Sequence, residues 1–162
     1  MIKLIEVQTA AELTQVKDLF HAYFQFLAQE HGVDISYQGI EEELASLPGK
    51  FAPPSGRLIL AVASEKPIGC AALRRIDEHV CELKRMFVLS QFRGQGVGKA
   101  LAKKLIEDAH TIGYECMRLD TGNFLTAAIQ LYESLGFQRI EPYNDVPEDL
   151  RKIAIFMELR LN

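Results

Sequence analysis

The sequence predicts an α/β (α+β) protein of one domain, residues 1–162, in which helices cover both faces of a mixed, mostly antiparallel sheet of about seven strands. Three apolar strand-like segments follow one another between residues 57 and 89 with only short turns between them, which is typical of an antiparallel meander. Beyond them, apolar strands alternate with amphipathic helical segments. A composition of 48% hydrophobic and 25% charged residues is that of a globular protein.

The N-terminal half begins with a predicted strand over residues 1–7. Thr9 and Glu12 form a capping box that starts a helix, and Gly32 ends it. A second, short helix is predicted over residues 40–47. The meander strands are predicted over residues 57–64, 68–75 and 80–89, with Lys66-Pro67 as the first turn.

The C-terminal half alternates helices and strands. Apolar residues at Val97, Leu101, Leu105 and Ala109 recur with a helical period. The predicted elements are a helix over 97–112, a strand over 116–121, a helix over 126–135, a strand that opens at Phe137 and a final strand over 153–161.

Composition and charge exclude several classes of protein. The net charge of −4 gives no general attraction to nucleic acid or to an anionic membrane. No apolar stretch approaches the ~18 residues that span a bilayer. Three widely spaced cysteines argue against a disulfide framework, and four scattered histidines lack metal-ligand spacing. We therefore predict a cytoplasmic protein with no metal and with neither nucleic acid nor membrane as a partner.

A glycine run lies between an apolar strand and an amphipathic helix: Arg93-Gly94-Gln95-Gly96-Val97-Gly98. Glycines leave the backbone N–H groups uncovered, and a helix N-terminus adds about half a positive charge. Arg93 and Lys99 add side-chain charge. The run therefore predicts a loop that binds phosphate groups.

Two familiar phosphate loops do not fit this run. A nucleotide P-loop needs a glycine five positions before its Gly-Lys pair and a Ser or Thr after it, whereas here Arg93 precedes and Ala100 follows Gly98-Lys99. A dinucleotide-binding fingerprint needs its third glycine one residue later than Gly98. Nucleotide hydrolysis and hydride transfer are therefore disfavoured.

Two motifs resemble those of the GCN5-related N-acetyltransferase superfamily. Arg93, Gly96 and Gly98 match its Arg/Gln-x-x-Gly-x-Gly/Ala pattern, and residues 82–88 are similar to its fourth strand. Residues 127–137 resemble its second motif, which ends in a Leu-Tyr…Gly-Phe pattern. The resemblance implies an enzyme that moves the acetyl group of acetyl-CoA directly to a primary amine in a ternary complex.

The resemblance also implies where acetyl-CoA binds. The fourth and fifth strands of the family splay, and the pantetheine arm lies in the gap, while the loop amides hold the pyrophosphate. Many members place an Asn where this chain has Leu125, and Asn123 is the nearest substitute. The expected cofactor-binding residues are Met86, Phe87, Val88, Arg93, Gly94, Gln95, Gly96, Val97, Gly98, Lys99 and Asn123.

Acetyl transfer needs a base for the amine and an acid for the departing thiolate. Strand alternation places Glu82, Lys84, Met86 and Val88 on one face, so Glu82 is the expected base. The alternative is a solvated glutamate, or an ion-pair partner of Lys84 or Arg75.

Tyr132 is the expected acid. A phenol with a pKa of about 10 can protonate a leaving sulfur whose thiol pKa is about 8.5. The alternative is an aromatic packing residue on a helix that also carries Leu131 and Leu135.

The amine that accepts the acetyl group is the part of the reaction that the sequence determines least. A small-molecule amine is favoured, because the segments that flank the expected site carry aromatic and acidic residues: Tyr23, Phe26, Tyr37, Glu41, Glu42, Tyr143, Asn144 and Asp145. Acetylation of a protein lysine or N-terminus stays open. A non-catalytic acyl-CoA sensor or interaction module is the alternative from another class, and it would need neither Glu82 nor Tyr132. The last strands are compatible with a homodimer.

Overall fold

The computed structural model describes residues 1–161, and its strands are β1 (Ile2–Glu6), β2 (Arg57–Ala63), β3 (Lys66–Arg75), β4 (Val80–Val88), β5 (Cys116–Gly122), β6 (Gln138–Ile140) and β7 (Ala154–Arg160). They form one sheet in the order β1-β2-β3-β4-β5-β7-β6. All neighbouring pairs are antiparallel except β4 and β5, which are parallel. The predicted fold class is confirmed.

The helices are α1 (Ala10–His31), α2 (Ile40–Ser46), α3 (Val97–Ile112), α4 (Thr126–Ser134) and α5 (Glu148–Arg151). The predicted capping box is present, because Thr9 and Glu12 each accept a hydrogen bond from the other's backbone N–H group. Gly32 ends α1 in the left-handed conformation at a φ of 65°. The short helix α5 was not predicted, since its four residues are too few to show a helical period.

The turn between β2 and β3 differs from the prediction. Residues 66 and 67 belong to β3, and the turn is made by Ser64 and Glu65, which adopt φ values of 50° and 65°. Two left-handed residues match the twist of a tight hairpin, although asparagine and glycine are the usual choices there. The sequence prediction followed Pro67 and was wrong by two residues.

Two apolar cores lie on opposite faces of the sheet. Val97, Leu101 and Leu105 of α3 belong to the core on one face, and Val16 and Phe20 of α1 belong to the core on the other. All five side chains are almost fully buried. Burial of such a side chain contributes roughly 1.5–3 kcal/mol, so these two helices are anchored on either side of the sheet centre.

The strands β4 and β5 separate after a short paired segment. Parallel pairing joins residues 80–82 to residues 116–118 and goes no further in the described chain. Beyond it, β4 continues to Val88 and β5 to Gly122. The predicted gap between the fourth and fifth strands is therefore present, with the two strands as its walls.

A β-bulge in β4 changes which side chains share a face. Cys70 and Ala72 of β3, two residues apart, pair with Phe87 and Lys84, three residues apart. Arg85, inside this bulge, has a φ of 57°.

The bulge overturns one expectation about the reacting strand. Met86 and Val88 pack with the α3 core, whereas Phe87 packs with the α1 core. Simple alternation had placed Glu82 and Lys84 on the same face as Met86 and Val88. That grouping is wrong, because the extra residue reverses the parity of the strand after Lys84.

Candidate active site

An open groove runs along the gap between β4 and the start of α4. One wall is the C-terminal end of β4, and the floor is the glycine run at the start of α3. The lining residues are Tyr23, Phe26, His31, Met86, Phe87, Val88, Arg93, Gly94, Gly96, Val97, Gly98, Lys99, Phe124, Leu125, Thr126, Ala127, Ala128 and Leu131.

The glycine loop has the backbone that glycine permits. Gly94 and Gly96 have φ values of 78° and 83°, in the region where a Cβ atom is strained. Gly98 faces the groove, and a Cβ atom there would lie 3.5 Å from the side chain of Leu131. The loop therefore exposes main-chain N–H groups at the N-terminus of α3, which suits a pyrophosphate.

Most of the predicted cofactor-binding residues line this groove. Gln95 and Asn123 do not: both side chains are exposed and neither residue lines a cavity that reaches the gap. The backbone N–H of Asn123 instead donates to the carbonyl of Ile153 at 2.7 Å. Leu125, which stands where the family often has an Asn, lies in the groove wall. Asn123 therefore lies outside the lining of the groove, and its expected contact with acetyl-CoA stays a prediction.

Arg93 is folded against the groove wall. Its Nε atom donates a 2.8 Å hydrogen bond to the carbonyl of Val88, and its guanidinium lies 4.6 Å from the ring centroid of Phe26. Phe26 in turn packs edge-on against His31, which stacks on Phe124 at 4.2 Å between ring centroids. This aromatic row joins the end of α1 to the loop before α4 across the groove.

An inner cavity continues from the groove toward the point where the strands separate. Tyr23, Met86, Phe124, Leu125 and Ala128 line both spaces. The inner cavity is bounded further by Ile35, Tyr37 and Gln38 and by residues between Val146 and Phe156, a segment that includes α5. A groove that continues into a deeper cavity is suited to a long ligand whose reactive end meets a second molecule.

Tyr132 lies in the wall of the inner cavity. Its side chain is buried and packs edge-on against Phe137, with ring centroids 5.6 Å apart. The hydroxyl has no hydrogen-bond partner within residues 1–161. Burial raises the pKa of this phenol above its ordinary value, so it is protonated and able to donate at neutral pH.

Lys84 and Asp120 lie at the point where β4 and β5 separate. Each is two residues beyond the last parallel pair, Glu82 with Arg118, and both line the inner cavity. Burial lowers the pKa of Lys84 and raises that of Asp120, since it disfavours the charged form of each, and each charge partly offsets the shift of the other. Neither residue was predicted as a site residue.

Glu82 is fully buried and lines none of these cavities. Its Oε1 atom accepts a 2.7 Å hydrogen bond from Nε of Arg74, and its Oε2 atom accepts a 2.6 Å bond from the hydroxyl of Tyr143. The Nζ atom of Lys84 lies 3.8 Å from Oε1.

The protonation of Glu82 follows from these contacts. Burial by itself raises the pKa of Glu82. The charge of Lys84 and the hydrogen bonds from Tyr143 and Arg74 outweigh that effect, so the pKa of this carboxyl lies below its ordinary value. The solvated glutamate considered from sequence is ruled out, and the ion pair with Lys84 is present.

Arg85 makes a separate buried contact through three hydrogen bonds. Its Nε and Nη2 atoms donate to the two carboxylate oxygens of Glu43 at 2.8 and 3.0 Å, and Nη1 donates to Gln38 at 2.7 Å. This fork ties α2 and residues 36–38 to the bulge of β4. It fixes the segment that carries Tyr37 into the cavity wall.

The residues expected around the acceptor are only partly brought together. Tyr23 and Tyr37 line the inner cavity, and Tyr37, Asn144 and Asp145 line an outer cavity that also includes Lys84 and Asp120. The others lie elsewhere: Phe26 in the groove, Glu42 in a separate surface cavity, Glu41 exposed on α2, and Tyr143 bound to Glu82.

Within residues 1–161, no group of three or more His, Cys, Asp or Glu side chains is arranged to hold a metal ion. No helix in that range has the length and apolar character to cross a membrane.

Comparison with known sequences agrees with this geometry. The profile of the acetyltransferase (GNAT) family matches residues 13–137. This chain belongs to the GNAT family. The membership confirms the expected enzyme class, an acetyl-CoA-dependent acetyltransferase, and the resemblance on which the sequence prediction depended.

Individual GNAT relatives extend the comparison. An uncharacterized N-acetyltransferase of Schizosaccharomyces pombe is 34% identical over 95% of this chain and 94% of its own length. The N-acetylaspartate synthetase of Danio rerio is 37% identical over 65% of this chain, which spans 38% of that protein. A GNAT acetyltransferase from Staphylococcus aureus has the same fold, with a TM-score of 0.80 over both full chains at 20% identity.

Proposed function

We propose that this GNAT enzyme moves the acetyl group of acetyl-CoA directly to a small-molecule primary amine, with both substrates bound at once. The observation that carries the proposal is the continuity of the open groove and the inner cavity. A thioester that enters along the groove has its reactive carbon at the junction, and the inner cavity holds the amine. Relatives named N-acetylaspartate synthetase support a small acceptor.

The groove residues fit the acetyl-CoA substrate. The glycine loop at the start of α3 offers backbone donors to the pyrophosphate, and Lys99 adds a positive charge at its rim. The backbone of residues 86–88 has no β-strand partner on the β5 side, and the amide groups of pantetheine can bind there once Arg93 releases the carbonyl of Val88. The apolar side chains of Leu125, Ala128 and Leu131 cover the arm.

The reaction forms one bond and breaks one. The amine nitrogen, after losing a proton, attacks the thioester carbonyl; a C–N bond forms, the C–S bond breaks, and the sulfur takes a proton. The products are an N-acetylamine and the free thiol of CoA. Buried Tyr132, protonated and without another partner, supplies the proton to sulfur.

We assign the base to Asp120 in preference to Glu82. A base must reach the acceptor amine, and Asp120 lines the inner cavity whereas Glu82 lies outside it with both oxygens engaged. The raised pKa of Asp120 also makes it the stronger proton acceptor of the two carboxylates. Glu82 has a positioning role, because its charge lies beside Lys84.

The test is thiol release from acetyl-CoA across a panel of small amines, with acetylated product identified by mass spectrometry. We expect turnover with at least one amine and a kcat about 10²-fold lower in Asp120→Asn. Tight acetyl-CoA binding without turnover on any amine would overturn the proposal in favour of an acyl-CoA sensor. Acetylated peptides with no acetylated small amine would shift the acceptor to proteins. If kcat instead falls about 10²-fold in Glu82→Gln and does not fall in Asp120→Asn, the base is Glu82.

A further inference from the structure

The inner cavity contains a mostly buried lysine, Lys84, which has a long ion pair with Glu82 and no hydrogen bond to the described residues. The side chain of Lys84 is 10% exposed, and its ammonium donates no hydrogen bond within the described residues. Its nearest carboxylate oxygen, on Glu82, lies 3.8 Å away and already accepts from Arg74. A buried ammonium is costly unless it is paired, so Lys84 has unused donors that face the cavity.

A carboxylate without a close partner lies at the matching position of the other strand. Asp120 lies at the same register step beyond the last β4–β5 pair as Lys84, and both residues line the inner and the outer cavity. The two side chains form no ion pair within 4.0 Å. A positive and a negative group therefore face one cavity from opposite walls and are separated by more than a direct contact.

We propose that the acceptor is an amino acid, whose carboxylate is bound by Lys84 while its amino group lies at Asp120. The inference depends on the proposed acetyltransfer and names the substrate class of the same site. The amino and carboxylate groups of such a molecule are close together and opposite in charge, so one ligand satisfies both side chains. A simple amine leaves the ammonium of Lys84 without a hydrogen-bond partner when it binds.

The neighbouring cations do not take this role. The guanidinium of Arg85 already donates three hydrogen bonds, to Glu43 and Gln38, and its charge is paired with the Glu43 carboxylate. Arg74 donates to Glu82 and to its neighbour's carbonyl, and it lines only the outer cavity. Lys84 is therefore the cation of the inner cavity whose charged group donates no hydrogen bond to the described residues, so all of its donors are left for a ligand.

The decisive experiment compares matched acceptors on the wild-type enzyme. Amino acids with apolar, acidic and basic side chains are each tested beside the carboxamide and the decarboxylated amine of the same side chain, with thiol release as the readout. We expect kcat/KM for the best amino acid to exceed that of its carboxamide and its amine by at least roughly tenfold, the order of one charged hydrogen bond. Equal or better rates for the neutral partners in every set overturn the inference but leave the proposed function intact. No turnover with any compound overturns both.

A variant pair then tests the role of Lys84. Lys84→Met keeps the side-chain length and removes the charge, and Lys103→Met makes the same change on the exposed face of α3. We expect Lys84→Met to bring the amino acid to carboxamide ratio of kcat/KM close to one, and Lys103→Met to leave it as in the wild type. An unchanged ratio in folded Lys84→Met overturns the assignment. If that variant does not fold, calorimetric titration of the wild type decides: an N-acetylated amino acid must bind more tightly than its carboxamide.

Discussion

The hydroxyl of Tyr143 donates a 2.6 Å hydrogen bond to the buried carboxylate of Glu82. The loop that follows β6 is thereby fixed to the last position of β4 that pairs with β5. This position is two residues before Lys84, which lines the inner cavity together with Asp120. The contact connects the stability of this corner to pH, because it favours the charged form of Glu82.

Stability should therefore fall in acid partly through Glu82. Its folded-state pKa lies below the ordinary value, so its contribution is complete above the unfolded-state pKa and is lost as the pH falls through the folded-state pKa. We expect Glu82→Gln to lower the free energy of unfolding by roughly 2–4 kcal/mol at pH 7. Below about pH 4.5, the free energy of unfolding of this variant should fall less steeply with decreasing pH than that of the wild type. Urea unfolding between pH 3 and pH 7 measures both. Exposed Glu107→Gln is the control, and an equal flattening there would contradict the assignment.

Tyr132→Phe should lower turnover with little effect on stability. The hydroxyl has no partner within the described chain, so its removal breaks no internal hydrogen bond, but the leaving sulfur loses its proton donor. We expect kcat to fall about 10²-fold while the KM for acetyl-CoA changes little.

The matched control is Tyr114→Phe. The Tyr114 side chain is equally buried, and its hydroxyl donates a 2.7 Å bond to the carbonyl of Ser55, away from the groove. That variant should lose about 1 kcal/mol of stability and keep its kcat. Undiminished turnover in Tyr132→Phe would leave the residue a packing group.

The helices and the phosphate loop were predictable because their signals are local. The capping box at Thr9, the glycine after α1 and the glycine run before α3 each specify their structure within a few residues. The bounds of α3 were predicted without error for the same reason. The second motif, which contains Tyr132, is likewise a local pattern on α4.

The acceptor side was not predictable because it depends on pairing between distant segments. The bulge at Arg85 arises from the register of β4 on β3, and no residue type within β4 indicates it. Lys84 and Asp120 are 36 positions apart in the sequence, and they face one cavity because β4 and β5 pair up to Glu82 and Arg118 and then separate. Charged residues inside sheet strands, Lys84 in β4 and Asp120 in β5, were the signal that could have indicated the site.

The glycine loop offers a test of acetyl-CoA binding with a matched control. Gly96 and Gly113 have φ values of 83° and 109°, and neither has an atom within 4 Å of an added Cβ. Alanine at either position costs about 1–2 kcal/mol of backbone strain. Only Gly96→Ala displaces N–H donors of the groove, so we expect its Kd for acetyl-CoA to rise at least roughly tenfold and that of Gly113→Ala to stay unchanged. Equal Kd values in the two variants would remove the loop from the binding site.

The pH profile of turnover should show the raised pKa of Asp120. A base acts only when deprotonated, so kcat/KM falls as the pH drops through that pKa, at a higher pH than an ordinary aspartate would give. A second limb, from the acceptor's own ammonium, moves when the acceptor is changed. We expect the first limb to be absent from Asp120→Asn and present in Glu82→Gln. If the first limb is instead present in Asp120→Asn and absent from Glu82→Gln, the base is Glu82.

Asp120→Asn should also make the protein more stable while it becomes less active. Burial disfavours the Asp120 carboxylate in the folded state, and its raised pKa means that the charge opposes folding at neutral pH. Asparagine has the same shape without that charge, so we expect a higher urea midpoint at pH 7 and little difference near pH 3, where the carboxyl is protonated in both states. Greater stability combined with lower turnover is typical of a group kept for chemistry. A destabilised Asp120→Asn would instead indicate that Asp120 mainly stabilises Lys84 by charge.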